Sequence, residues 1–203
     1  MPFGYIGQNQ TKQKVKNTGV LSSFDVSLLE KKDHASGSME LIQSQTVSGV
    51  GIVDFTDIKE NVYGVHFLTG IVTGNGNNRP WLRFFESGTI EDGSVYHAAY
   101  QQNTVGGAGE NRGTTLTNLD FLVGASETGE SSVAYCYIHN AGDSSKYTTT
   151  SQQGIMSSTI RHEFGGGALP QASVVDGFRI QSTGETTING TIKLYGLKQI
   201  WVI

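Results

Sequence analysis

Nine short runs rich in β-branched and aromatic residues, set apart by glycine- and asparagine-rich turns, limit what this chain can fold into more than any other feature. They are VSGVGIVDF, NVYGVHFLTGIV, PWLRFFE, SVYHAAYQ, LTNLDFLV, SVAYCYIHN, STIRHEF, SVVDGFRIQ and GTIKLYG. Branched and aromatic side chains suit a pleated, half-buried surface. Between the runs lie TGNGNNR, TVGGAGENRGT, NAGDSSK, FGGGALP and TGETTING, whose residues favour turns and loops. The spacing predicts an all-β fold: an antiparallel β-sandwich, jelly-roll-like, with an extended N-terminal arm. In the last run Ile192 and Leu194 are expected to face the core. The ending continues through Ile200, Trp201, Val202 and Ile203, whose alternate faces cannot both be buried by one sheet. A neighbouring subunit is expected to cover them.

A chain of 203 residues is long enough for one sizeable β domain. Charge divides it. Residues 1–37 hold five lysines against three acids, or +2, which leaves nine bases against fifteen acids, or −6, for residues 38–203. The expected organisation is a basic docking arm over 1–37 and a β-sandwich body over 38–203. Ser23, followed by Val26, Leu28, Leu29 and two lysines, predicts one or two helical turns within the arm. A net charge of −4 argues against nucleic acid as the main partner. The single cysteine excludes an internal disulfide framework, and no stretch has the roughly 20 apolar residues of a membrane span. The start has no apolar signal-peptide core, so the expectation is a protein made in a cytoplasm and released, if at all, by lysis.

Candidate chemistry is sparse. GGAGENRG at 106–113 departs from phosphate-loop spacing and is read as a flexible loop. His34, His66, His97, His139 and His162 lack metal-ligand spacing and are read as surface or half-buried strand residues. His139, Asp143 and Ser144 share one short turn, where an Asp capping its own backbone is expected rather than a triad. His162 and Glu163 should face opposite sides of a strand. Asp54, Asp57 and Glu60 lack the calcium-loop pattern. Asn189-Gly190-Thr191 reads as a two-residue hairpin turn rather than a glycosylation acceptor. Cys136 should point inward and be inert. Trp81, Phe84 and Phe85 read as core, with sugar stacking as the alternative. No catalytic residue, metal site or cofactor is expected.

Two stretches carry a resemblance. GYIGQNQTKQKVKNTGVLSSFDVSLLEKK resembles the N-terminal segment of small virion proteins of marine bacteriophages, tail-fibre-like or structural. VVDGFRIQSTGETTINGTIKLYGL resembles the closing hairpin of many phage fibre and adhesion domains. The family implies a non-enzymatic part of a particle surface, a tail-fibre component or capsid decoration, with other virion proteins as partners, a homotrimeric state and a virion location. Docking is expected through Tyr5, Ile6, Lys12, Lys14 and Lys16, and subunit contact through Ile200, Trp201, Val202 and Ile203. The alternative is an adhesion module whose loops bind host surface glycan. A glycan-cleaving enzyme would need two carboxylates about 5 to 9.5 Å apart, which no motif here places.

Overall fold

The computed structural model describes residues 39–74, 80–121, 131–157, 160–182 and 187–197. The arm over 1–37, with its short helix, His34, Tyr5, Ile6, Lys12, Lys14 and Lys16, lies outside the described residues, as do Ile200, Trp201, Val202 and Ile203.

The body is a β-sandwich of two antiparallel sheets, and none of its described residues is helical. The strands are β1 (Met39–Val50), β2 (Ile52–Thr56), β3 (Val65–Gly74), β4 (Trp81–Glu86), β5 (Thr89–Ile90), β6 (Tyr96–Thr104) and β7 (Gly107–Leu116), followed by β8 (Leu119–Asp120), β9 (Ser132–His139), β10 (Tyr147–Met156), β11 (Arg161–Ala172), β12 (Val175–Gln181) and β13 (Ile188–Leu197). The wide sheet runs β1-β13-β3-β9-β10-β11-β6-β7, and the narrow sheet β2-β12-β4-β5, with β8 also paired to β4. The pairing is nested: β6 with β7, then β4 with β8, β3 with β9, β2 with β12 and β1 with β13. Successive pairs alternate between the wide and narrow sheets. One long antiparallel ribbon is therefore rolled up on itself, with β10 and β11 widening the third pair.

Alternation places the core. On β9, Ser132, Ala134, Cys136 and Ile138 are buried, and on β13 so are Ile188, Ile192 and Leu194, as expected for Cys136, Ile192 and Leu194. Phe55, Leu82, Phe84 and Phe178 of the narrow sheet meet them with no exposure. Phe178 packs edge-on against His66 of the wide sheet, ring centroids 5.6 Å apart, and lies 5.8 Å from Phe84. Tyr96 lies in the same layer, where its hydroxyl accepts from Phe84 N at 3.0 Å and donates to Glu91 O at 2.9 Å. On one flank Gln45 of β1 donates to Asp54 O of β2 at 2.6 Å, joining the two sheets.

Several segments read as loops or turns are strand. GGAGENRG is most of β7, not a flexible loop: the chain reverses from β6 through Val105 and Gly106, and among the described strands β7 pairs with β6 alone. As an edge strand it needs little apolar surface, and its exposed Glu110 and Arg112 suit an edge that must not pair further. FGGGALP lies inside β11, because its neighbours leave no room for side chains. A Cβ on Gly165, whose φ is 157°, would stand 2.3 Å from Ala99 O. Asn189-Gly190 is not a hairpin turn; it lies within β13, opposite Thr73 and Val72. A Cβ on Gly190 (φ 137°) would meet Ile71 O at 2.2 Å, and Asn189 Oδ1 accepts from Gly49 N at 2.7 Å where β1 bulges. Nor do the last two strands form a closing hairpin, since β12 belongs to the narrow sheet and β13 to the wide one.

Candidate binding surface

The outward side of the wide sheet follows from the same alternation that builds the core. Because strands β3 and β9 carry large residues at odd as well as even positions, burying one set leaves the other facing out. Cross-strand register then gathers the outward set into rows. Tyr195, Phe67 and Tyr137 stand side by side on β13, β3 and β9. Next to them run Thr69, Tyr135, Gln153 and Phe164, and beyond these Ile71, Val133, Ile155 and His162.

Phe67 is the centre of an aromatic cluster, with ring centroids 4.9 Å from Tyr137 and 6.1 Å from both Tyr135 and Tyr195. Tyr137 in turn stacks on His139 at 6.4 Å. The aliphatic row is open, with Ile71 59% and Ile155 47% exposed. Three of the polar side chains here bond to one another. Tyr135 Oη donates to Gln153 Oε1 at 2.6 Å, and Gln153 Nε2 lies 2.8 Å from His162 Nε2. Since the amide nitrogen can only donate, that imidazole nitrogen accepts. Along β13, β3, β9, β10 and β11 the described outward positions include Lys193 and no carboxylate, in a chain with 18 acids.

The outer side of the narrow sheet is chemically different. Arg179 makes a two-pronged contact with Asp54, both nitrogen–oxygen distances 2.7 Å, and its guanidinium lies 5.2 Å from the Phe85 ring centroid. Arg83 sits 5.6 Å from the Trp81 ring centroid and donates to Thr117 O at 2.9 Å.

The other candidate residues are dispersed by the fold. Asp54 is held by Arg179 and Asp57 by Lys59 at 2.9 Å, so Asp54, Asp57 and Glu60 do not form a ligand set. Asp143 caps its own turn, accepting from Ser145 N at 2.9 Å, as expected. The adjacent Lys146 ammonium and the Ser145 donors hold its carboxyl well below the usual carboxylate range. His162 and Glu163 face opposite sides, one on the aromatic face and the other buried. Phe84 is core, Phe85 is buried beneath Arg179 on the outer side, and the half-buried Trp81 carries Arg83 over its ring. Burial pushes the Cys136 thiol up, which keeps it in its unreactive form.

His66 departs from the expectation of a surface or half-buried residue: it is fully buried, because even-numbered residues of β3 point between the sheets. Its Nε2 lies 2.8 Å from Ile58 O and so carries the proton, leaving Nδ1 without a partner. Burial lowers its pKa, against the opposing pull of the Ile58 carbonyl and Glu60.

A polar concavity of about 240 Å³ lies beside β7 and β8, lined by Tyr100, Asn111, Thr115, Leu116, Thr117, Asn118 and Asp120. Asn111 Nδ2 donates to Asp120 Oδ2 there at 3.0 Å.

Neither the aromatic face nor the concavity was singled out from the sequence. The signal for the face was present in SVAYCYIHN, where Cys136 inward requires Tyr135 and Tyr137 outward. No family model, curated protein or solved structure matches the chain. What it does has to be read from its own residues.

Proposed function

We propose that the chain is a non-enzymatic structural protein of a phage particle surface, a tail-fibre component or capsid decoration, docked through its basic arm over 1–37. The body is read as a jelly roll of two interleaved Greek keys, an architecture used in viral capsid and lectin domains. The nested strand pairs, alternating between the two sheets, support that reading. The observation that carries the assembly role is the aromatic outer face of the wide sheet. So much apolar surface facing outward marks a module that works against another surface. The working unit is a homotrimer, made in the host cytoplasm and released in the virion by lysis.

The test is incorporation. Mass spectrometry of purified particles should find the full chain, and a variant lacking residues 1–37 should fold but stay in the soluble lysate. A full-length chain absent from particles, or a truncated one that is incorporated normally, sinks the proposal.

A second reading, a host-glycan adhesion module, draws support from the concavity beside β7 and β8. Its amides, hydroxyls and Asp120 are the kind of donors and acceptors that a sugar presents in return. Retention of host envelope polysaccharide on the immobilised protein, lost in an Asn111→Ala variant, distinguishes it from a purely structural role.

A further inference from the structure

We propose that the outer face of the wide sheet, centred on Phe67, packs against the same face of a second copy of this chain. This rests on the reading above of the chain as an assembling particle component; because a face that packs on itself closes a two-fold pair, the pair replaces the homotrimer as the unit this surface joins. It also moves the expected subunit contact from the C-terminal residues to the middle of β3, β9 and β10.

Three observations select a second copy as the occupant. The first is charge. The chain as a whole is acidic, yet along β13, β3, β9, β10 and β11 the described outward positions hold no carboxylate and carry Lys193 at the β13 flank, so two such faces bring little charge together and neither needs a partner of opposite sign. Rings and methyl groups pack on rings and methyl groups, which makes the surface complementary to itself.

The second is the state of its polar groups. Tyr135, Gln153 and His162 already satisfy one another across three strands. A saccharide needs free donors and acceptors to replace its water, whereas a protein partner needs a face that can lose water without leaving polar atoms stranded. The aliphatic row of Ile71, Val133 and Ile155 points the same way, since sugar hydroxyls have nothing to bond there.

The third is size. With strands about 4.8 Å apart and same-face residues about 6.8 Å apart, five strands by four rows cover roughly 650 Å² in projection. A stable complex buries about 800 Å² per partner, which the corrugation of the face and the flanking β1 and β6 bring within reach.

Sedimentation velocity on the full-length protein at micromolar concentration tests this. The wild type should sediment as a multiple of 21.8 kDa. Ile71→Lys and Ile155→Lys each place a charge in the contact from an exposed position, and each should weaken association about a hundredfold while leaving the melting temperature near that of the wild type. Ile52→Lys, on the opposite exterior, should assemble like the wild type.

A wild-type mass of 21.8 kDa overturns the proposal. So does undiminished assembly of both face variants, which would place the contact elsewhere. Unfolding of both variants would show a purely structural role and overturn it too, as would a wild-type monomer that retains host polysaccharide through this face. The two proposals fail separately: a monomer found in particles leaves the particle role standing, and an assembled chain absent from particles leaves the interface standing.

Discussion

The outer side of the narrow sheet and the outer side of the wide sheet are two exteriors of one sandwich, and they answer water in opposite ways. On the narrow sheet the outward side chains include Asp54, Arg179, Arg83 and Trp81, and every cation among these four has a carboxylate, a ring or a carbonyl against it. On the wide sheet the corresponding layer holds Phe67, Tyr135, Tyr137, Ile71 and Ile155. Both layers lie over the same apolar core, so the difference does not come from what the fold needs to close. The proposed interface accounts for it: apolar area left in water forgoes roughly 25 cal/mol for each Å² that could be buried, and the wide sheet carries that area outward.

The strongest way to break this comparison is to remove what both exteriors share. Phe178 has no exposure and touches His66 from the opposite sheet as well as Phe84 beside it. Phe178→Ala should destabilise the fold by about 3–5 kcal/mol, read as a lower midpoint in urea unfolding. Association should fail with it, because neither face survives separation of the layers. A loss under about 1 kcal/mol, the scale of a surface change, would mean that the layers are held elsewhere.

Acid should act on the same seam with a smaller effect. His66 is buried and neutral with its pKa lowered chiefly by burial, so the unfolded chain takes up a proton before the folded one does. Its contribution is therefore fully present above the unfolded value near 6.5 and is lost as pH falls from there toward the lower folded value. His66→Gln keeps a donor for Ile58 O and removes the titration. Melting temperatures of wild type and variant should converge as pH is lowered from 7.5 to 5, and parallel curves across that range would rule out His66 as the acid-sensitive group.

The smallest expected effect sharpens the contrast between the exteriors. Arg179→Ala removes a partly exposed ion pair and a ring contact on the narrow sheet. Such pairs contribute about 0.2–1 kcal/mol, diminished by salt. The variant should melt slightly lower and assemble like the wild type. Weaker assembly would show that the charged exterior also takes part in the contact.

Much of this architecture was legible in the residues, and the failures are specific. SVAYCYIHN alternates strictly, which placed Cys136 inside. The same rule put His162 and Glu163 on opposite sides. YTTTSQQGIM gives no strand signal because its inward residues Thr148, Thr150 and Gln152 are polar, although they are as buried as aliphatic ones. GGAGENRG reads as a loop because an edge strand bonded to β6 carries no apolar signature. The aromatic face was half legible: alternation marks which residues point outward, but not that Phe67 stands among three tyrosines drawn from β9 and β13.

The sequence by itself determined that the chain is all-β and antiparallel, which residues of its clearest strands point inward, and that Asp143 serves its own turn. These follow from local rules: side chains alternate along a strand, and short polar groups reach their own backbone. Only the tertiary structure decided that β13 lies between β1 and β3, that glycine at 165 and 190 admits a neighbouring strand, that His66 is sealed in the core, and that the rings of the wide sheet form one surface. Sheet hydrogen bonds join backbone groups that nearly every residue possesses, so the choice of neighbour is not written in any one strand. It emerges when two layers close over a shared core, and that closure gathers the rings of β3, β9 and β13 onto one exterior.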